Sequence, residues 1–250
     1  MSTYRYVSWT DPLLQAEVLG AIIARSKTRM PEYNQALTHC CETEIRQKER
    51  DRTTLLIYSW PELPPLPLNR GGVVTNAFLH IPMRDLRSAA RFVCELPYGR
   101  NSHADDPLVV LVEHKGTCST KHALIRRLAI EQGFDLLLIL GIFGMTEGNT
   151  PGVGRVLQQY GLSTLPEAHC YLRSGPKRID VTRPRTQEQN ESIRHFWHEE
   201  EINPDQITHY KANVHKKFLG EWVTGNDGLS GRSLAEIWKI REECIASLSQ

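Results

Sequence analysis

Between Phe134 and Met145 the chain reads FDLLLILGIFGM, apolar at nearly every position. A strand with one wet face alternates apolar and polar side chains, so an unbroken run of this kind predicts a central strand covered on both faces. As a helix it falls short of the roughly 20 residues that a bilayer crossing requires.

The flanking segments predict what covers it. In GTCSTKHALIRRLAIEQG, residues Ala123, Leu124, Leu128, Ala129 and Ile130 make a helical stripe that stops at Gly133, which puts Cys118 at the start of a buried helix. The apolar run LVVLVEHKG leads into it, and Met83 to Leu96 reads as a further helix through Leu86, Ala89, Ala90, Phe92 and Val93. After the strand, TEGNTPGVG is a loop, readable as a mobile lid or as a plain connection. A short helix VLQQYG follows, and then EAHCYLRSGPKRIDVT, two strands joined by a Ser-Gly-Pro turn.

At the N-terminal end, Asp11-Pro12 opens a helix to about Lys27, and a second helix is predicted from Pro31 to Arg50. TTLLIYSW is a short strand or docking segment. ELPPLPL must be extended and reads as a rigid connector rather than an SH3 ligand. After Pro184 the patterns predict helices over 187–201, 205–223 and 232–247, broken at Asn203-Pro204 and Gly225 to Gly228, with no strand signal. The expected fold class is α+β, with a helical N-terminal segment (1–68), a core (69–184) and a helical C-terminal segment (185–250).

Composition narrows the function classes. With 40% hydrophobic and 24% charged residues the chain has the means to build a core, and 30 basic against 29 acidic residues give no overall field toward nucleic acid or an anionic membrane. The start, MSTYRYVSWTDPLLQ, lacks the pattern of a secretory signal, so a cytoplasmic protein is expected. The six cysteines are scattered and include no CxxC pair, which favours reduced thiols over disulfide staples or a zinc ribbon.

One of those thiols has a setting for chemistry. A cysteine attacks carbonyl carbon as thiolate, and the first turn of a helix offers unpaired amides and a positive dipole end to that anion. Cys118 occupies such a turn, with Gly116 permitting a tight approach of loop to helix. The base is expected from the hairpin, where strand alternation points His169 away from Cys170 and Asp180 away from Ile179 and Val181. A turn centred between Ser174 and Gly175 would set His169 directly opposite Asp180, close enough for the carboxylate to hold the imidazole. Nucleophile, base and orienter would then be Cys118, His169 and Asp180.

The order GTC at a helix start, a strand with His, then Asp on the next strand resembles the transglutaminase-like branch of the papain-like cysteine enzymes. The likeness covers about residues 83–183, although Cys170 and Tyr171 follow His169 where the family often carries an HAW-like string. It implies a nucleophile helix packed on an antiparallel sheet, the three roles just given, and a peptidase or amidase working through a Cys-thioester. Amine acylation by the same thioester and an inactive binding module are the alternatives. The implied substrate is a peptide, a protein or a small amide or acyl compound. No cofactor, metal or calcium dependence is implied.

Other readings are plainer. A metal site from Cys118, His122, His169 and Cys170 would need neighbouring strand residues to face one ion, so Lys121 and His122 are expected as supporting or surface groups. Cys170 reads as core packing. Cys40, Cys41 and Cys244 read as helix-face residues, and His195, Trp197, His198, His209 and His215 as a solvated face of the C-terminal helices.

Overall fold

The apolar run is the inner strand of an antiparallel sheet, and the rest of the fold is arranged to cover it. The computed structural model describes residues 56–57, 60–69, 71–186, 193, 195–229 and 231–248; the helices expected before residue 51, with Cys40 and Cys41, lie outside them. Residues 56–250 form one compact unit. In chain order the described elements are β1 (Leu56–Ile57), α1 (Val73–His80), α2 (Leu86–Glu95), α3 (Val109–Glu113), α4 (Cys118–Gln132) and β2 (Leu137–Met145). Then come α5 (Gly154–Gln159), β3 (Leu165–Ser174), β4 (Lys177–Ile179), β5 (Arg185–Thr186), β6 (His198–Ile202), α6 (His209–Thr224) and α7 (Leu234–Ser247). The class is therefore mixed α+β.

The main sheet runs β4-β3-β2-β6, antiparallel throughout, and β1 pairs separately with β5. Leu138, Ile139, Leu140 and Ile142 of β2 are wholly buried. Because neighbouring residues point to opposite faces, both faces of β2 are covered, as the run predicts. Helix α4 packs on β3 and β2 and is itself covered by α1, α2 and α3. Phe143, Met145 and Leu165 of the sheet share a second apolar cluster with Val153 and Leu157 and with Leu219, Ile237, Ile240 and Cys244 of α6 and α7.

Strand β6 departs from the sequence expectation of a helix over 187–201, whose first residues lie outside those described. HEEEI is built of helix-favouring glutamates, but β2 has an open edge there, and Leu138 pairs with Ile202 and Ile142 with His198. Tertiary pairing overrides local propensity. Ile202 is buried while Glu199 and Glu201 face solvent, a charged edge that discourages further strand addition. The later helices appear close to their predicted bounds, with Ser233 and Glu236 forming a capping box at the start of α7.

The proline run is extended, as expected, and is docked on the body. Leu63 and Leu68 are buried, Leu86 N–H donates to Leu66 O at 2.9 Å and Leu68 N–H to Arg84 O at 2.9 Å. The loop after β2 is a built connection: Asn149 Nδ2 donates to Gly144 O at 2.8 Å, and the amides of Gly152 and Gly154 both reach the Glu147 carboxylate.

Two close contacts hold the C-terminal part against the sheet. A Cβ at Gly141, in mid-β2, would collide with the Phe196 ring that lies across it. Further along, Arg241 of α7 grips Glu167 of β3 through two bonds, at 2.7 Å and 2.5 Å, with both side chains largely buried. Gly141→Val, although it adds a strand-favouring residue, is expected to lower stability by about 1–3 kcal/mol through overpacking, read from the urea midpoint. Arg241→Met is expected to cost about 3–5 kcal/mol because it strands a buried carboxylate, and Glu167→Gln in the same chain should recover part of that loss.

Candidate active site

Cys118 is the first residue of α4, placed there by its neighbour. Thr117 caps the helix, its side chain accepting from Thr120 N at 3.5 Å while Thr117 N–H donates to Thr120 Oγ1 at 3.0 Å. Gly116 lies so close to Lys121, Thr120 and Val110 that a Cβ would crowd all three side chains. The turn is therefore locked from both sides, with Cys118 8% exposed.

His169 and Asp180 meet, but by a different register from the one expected. Leu172 pairs with Ile179 and Ser174 with Lys177, which centres the turn on Gly175 and Pro176, one position later than predicted. Asp180 thus follows the last paired residue of β4 instead of standing opposite His169. Freed from the ladder, its carboxylate reaches across: Oδ2 is 2.9 Å from His169 Nε2, and Oδ1 accepts from Thr182 N–H at 2.9 Å. The His169 ring is steadied by Phe143, edge-on at 6.1 Å between centroids, and by Tyr171, stacked at 6.4 Å. With Nε2 taken by Asp180, Nδ1 is the nitrogen left for the sulfur, and Cys118 and His169 line one cavity. Of the three expected residues, His169 and Asp180 are in contact, and Cys118 borders the same cavity.

Their charges follow from the packing. Burial pushes the Cys118 thiol up, but the Lys211 ammonium and the His169 imidazolium, which also bonds it, outweigh that and bring it down to about 6. Burial pushes His169 down, whereas the Asp180 carboxylate and the Cys118 thiolate raise it to about 10. Asp180 is held well below its usual range, burial being overcome chiefly by His169. With the thiol brought down and the imidazole raised, the resting pair at neutral pH is thiolate and imidazolium.

The side chains next to Cys118 in sequence are structural braces. Lys121 and His122, expected as supporting or surface groups, are both wholly buried. Lys121 Nζ donates to Leu96 O and Thr182 O, each at 2.6 Å, tying the end of α2 to the segment after Asp180. His122 Nδ1 lies 2.6 Å from Cys118 O and must donate to it, while Nε2 accepts Val181 N–H at 2.8 Å. Although Nε2 is 3.5 Å from Asp180 Oδ1, the ring is neutral, and burial holds it down to about 4, so this contact is no ion pair. With both nitrogens engaged, His122 has none to offer a metal. Among the described residues no group of three or more His, Cys, Asp or Glu side chains is arranged to hold a metal ion.

Lys211 is the residue that sequence reasoning missed. It comes from α6, its Nζ stands 3.7 Å from Cys118 Sγ, and it donates to Ser119 Oγ at 2.7 Å. The face it shares with His215 and Leu219 is buried, not solvated; His215 Nε2 bonds Pro166 O at 2.8 Å. The spacing of Lys211, His215 and Leu219, four apart on one helix face, was the available signal. His195, Trp197, His198 and His209 are exposed, His198 on β6 rather than on a helix. Cys170 and Cys244 are wholly buried, and Cys94, Cys118, Cys170 and Cys244 are free thiols.

Two cavities meet at the sulfur. One, of about 80 Å³, is walled by Cys118, His169, Asp180, Phe143, Arg183 and the connection Asn149 to Pro151. The other, of about 310 Å³, lies on the α6 and α7 side, lined by Ser119, Thr120, Lys211, Trp238 and Arg241 among others. Cys118 and Tyr98 border both. No helix among the described residues is long and apolar enough to cross a membrane.

No protein-family model, curated protein or solved structure matches the chain, so what the site can do rests on its own geometry. Alkylation of Cys118 by iodoacetamide, followed by peptide mass spectrometry across pH, should rise through about 6 and level off above it. In His169→Ala the midpoint should move up toward the ordinary thiol value of about 8.5. A wild-type midpoint already at that ordinary value would contradict the charge assignment.

Proposed function

We propose that this chain is a cysteine enzyme with a transglutaminase-like, papain-like core, which opens an amide or related acyl bond through a thioester on Cys118. The observation that carries the proposal is the constellation itself: a sulfur on the first turn of a buried helix, facing an imidazole whose other nitrogen lies 2.9 Å from a carboxylate. Packing of that helix on an antiparallel sheet supports the family resemblance.

In the reaction the thiolate pair of Cys118 forms a bond to the carbonyl carbon, and the C=O π pair moves onto oxygen. On collapse that pair returns, the C–N bond breaks, and the amine leaves with the proton held by His169. Water then attacks the thioester and gives its proton to His169. The C–S bond breaks, and thiolate and imidazolium are restored. Asp180 keeps the ring in one tautomer and carries the balancing charge through both steps.

Hydrolysis is the favoured outcome, and the cavity beside His169 and Asp180, at about 80 Å³, suits a small acyl group or a side-chain amide better than a long polypeptide. Transfer to an amine is the second reading, favoured by the separate cavity of about 310 Å³ that also opens on Cys118 and could seat an acceptor. The four free buried thiols fit a reducing compartment, which supports a cytoplasmic location.

With p-nitrophenyl acetate as the probe, the wild-type chain should accumulate an acetyl group on Cys118, seen by intact and peptide mass spectrometry. Cys118→Ala should show none, and Asp180→Asn should acylate about 10²–10⁴-fold more slowly. Acetylation of wild type no faster than that of His169→Ala would remove the enzyme reading.

A further inference from the structure

The triad leaves one charge beside the sulfur without a role. Lys211 is 8% exposed and sits on α6, 93 positions along the chain from Cys118, with Nζ 3.7 Å from Sγ. Glu167, the buried carboxylate whose charge it feels, is already gripped by Arg241 through two bonds. Among the described residues Lys211 forms no ion pair with Asp or Glu. A buried ammonium is costly unless an anion or good acceptors meet it. Here the acceptor is Ser119 Oγ, at 2.7 Å, and the anion is the thiolate.

A purely structural lysine, present only to fix Ser119, would have no need to be charged or to touch the nucleophile. The contact with sulfur also has the right reach for chemistry. A carbonyl carbon joined to Sγ carries its oxygen one bond further out, and the cavity of about 310 Å³ that Lys211, Ser119 and Cys118 line together has room for it. A donor useful to that oxyanion must lie about 2.7–3.1 Å from it, a distance open to an ammonium on a flexible stem that begins 3.7 Å from the bare sulfur.

We infer that Lys211 is a catalytic residue of the acylation step: its ammonium partners the Cys118 thiolate at rest and donates to the oxyanion when the sulfur attacks a carbonyl. The inference rests on the cysteine-enzyme reading above. As the S–C bond forms, the negative charge passes from sulfur to oxygen without leaving the neighbourhood of Nζ, and on collapse of the intermediate it returns to the bonds of the thioester. The amide of Cys118, which as the first amide of α4 has no partner within the helix, supplies the other donor. Burial acts to depress the ammonium, and Cys118, Cys170 and Glu167 outweigh it, so Lys211 stays charged through neutral pH; Arg241 is the opposing cation nearby.

Two reactions of the same sulfur separate the possible roles. Iodoacetamide is displaced at a saturated carbon and forms no oxyanion, whereas p-nitrophenyl acetate passes through one. In Lys211→Met the alkylation midpoint should rise, and at a pH about one unit above the new midpoint alkylation should match wild type. Acylation at that same pH should remain about 10²–10³-fold slower. Lys211→Arg, which keeps the charge, should alkylate as wild type does and still acylate more slowly, because its planar fork places the donors differently. Equal loss or equal recovery of both reactions in either variant overturns the oxyanion role, and unchanged rates in both overturn the inference entirely. Failure of the cysteine-enzyme reading looks different: wild-type acetylation would then be independent of His169, whatever Lys211 does.

Discussion

A charge can be buried in a protein only where an opposite charge or a full set of hydrogen bonds receives it, and this fold is organised around one place where four do so together. Asp180, His169, Cys118 and Lys211 follow one another with alternating sign, linked by the 2.9 Å contact between carboxylate and imidazole and the 3.7 Å contact between sulfur and ammonium. Each member comes from a different element: the segment after β4, strand β3, the first turn of α4, and helix α6. Loss of His169 would leave Asp180 without its counter-charge, and loss of Cys118 would do the same to Lys211. The row therefore ties the helical layers to the sheet at a point where the apolar contacts give way to polar ones. Two braces support it, since His122 and Lys121 join the first turns of α4 to the backbone just past Asp180.

Much of this was legible in the sequence where the cause is local. The start of α4 could be placed because Gly116, Thr117 and the apolar stripe of Ala123, Leu124 and Leu128 act within a few residues of one another. His169 could be assigned to the opposite face from Cys170 because strand alternation leaves no choice. Asp180 was identified for a partly mistaken reason: the hairpin turns at Gly175-Pro176, and the aspartate works because it has just left the ladder, free to swing toward the ring.

What escaped reading depends on partners distant in the chain. Lys211 looks like any helix lysine until α6 is laid against Cys118, and His215 looks solvated until Pro166 is placed beside it. The glutamates of β6 favour helix by propensity, and only the vacant edge of β2 makes them a strand. The segment from Thr117 to His122 misleads in the opposite direction. Polar residues all round a helix usually signal solvent, yet here each side chain after the cap is buried, and Ser119, Thr120, Lys121 and His122 are each committed to a hydrogen bond.

The C-terminal helices were expected as accessories to a core that ends near residue 184. In the folded chain they provide the second wall of the cleft, the ammonium at the sulfur, and, through Arg241, the clamp on β3 two residues from His169. During synthesis α4 emerges long before those parts do. Until α6 follows and docks, the Cys118 sulfur is without the ammonium that stands 3.7 Å from it in the folded chain.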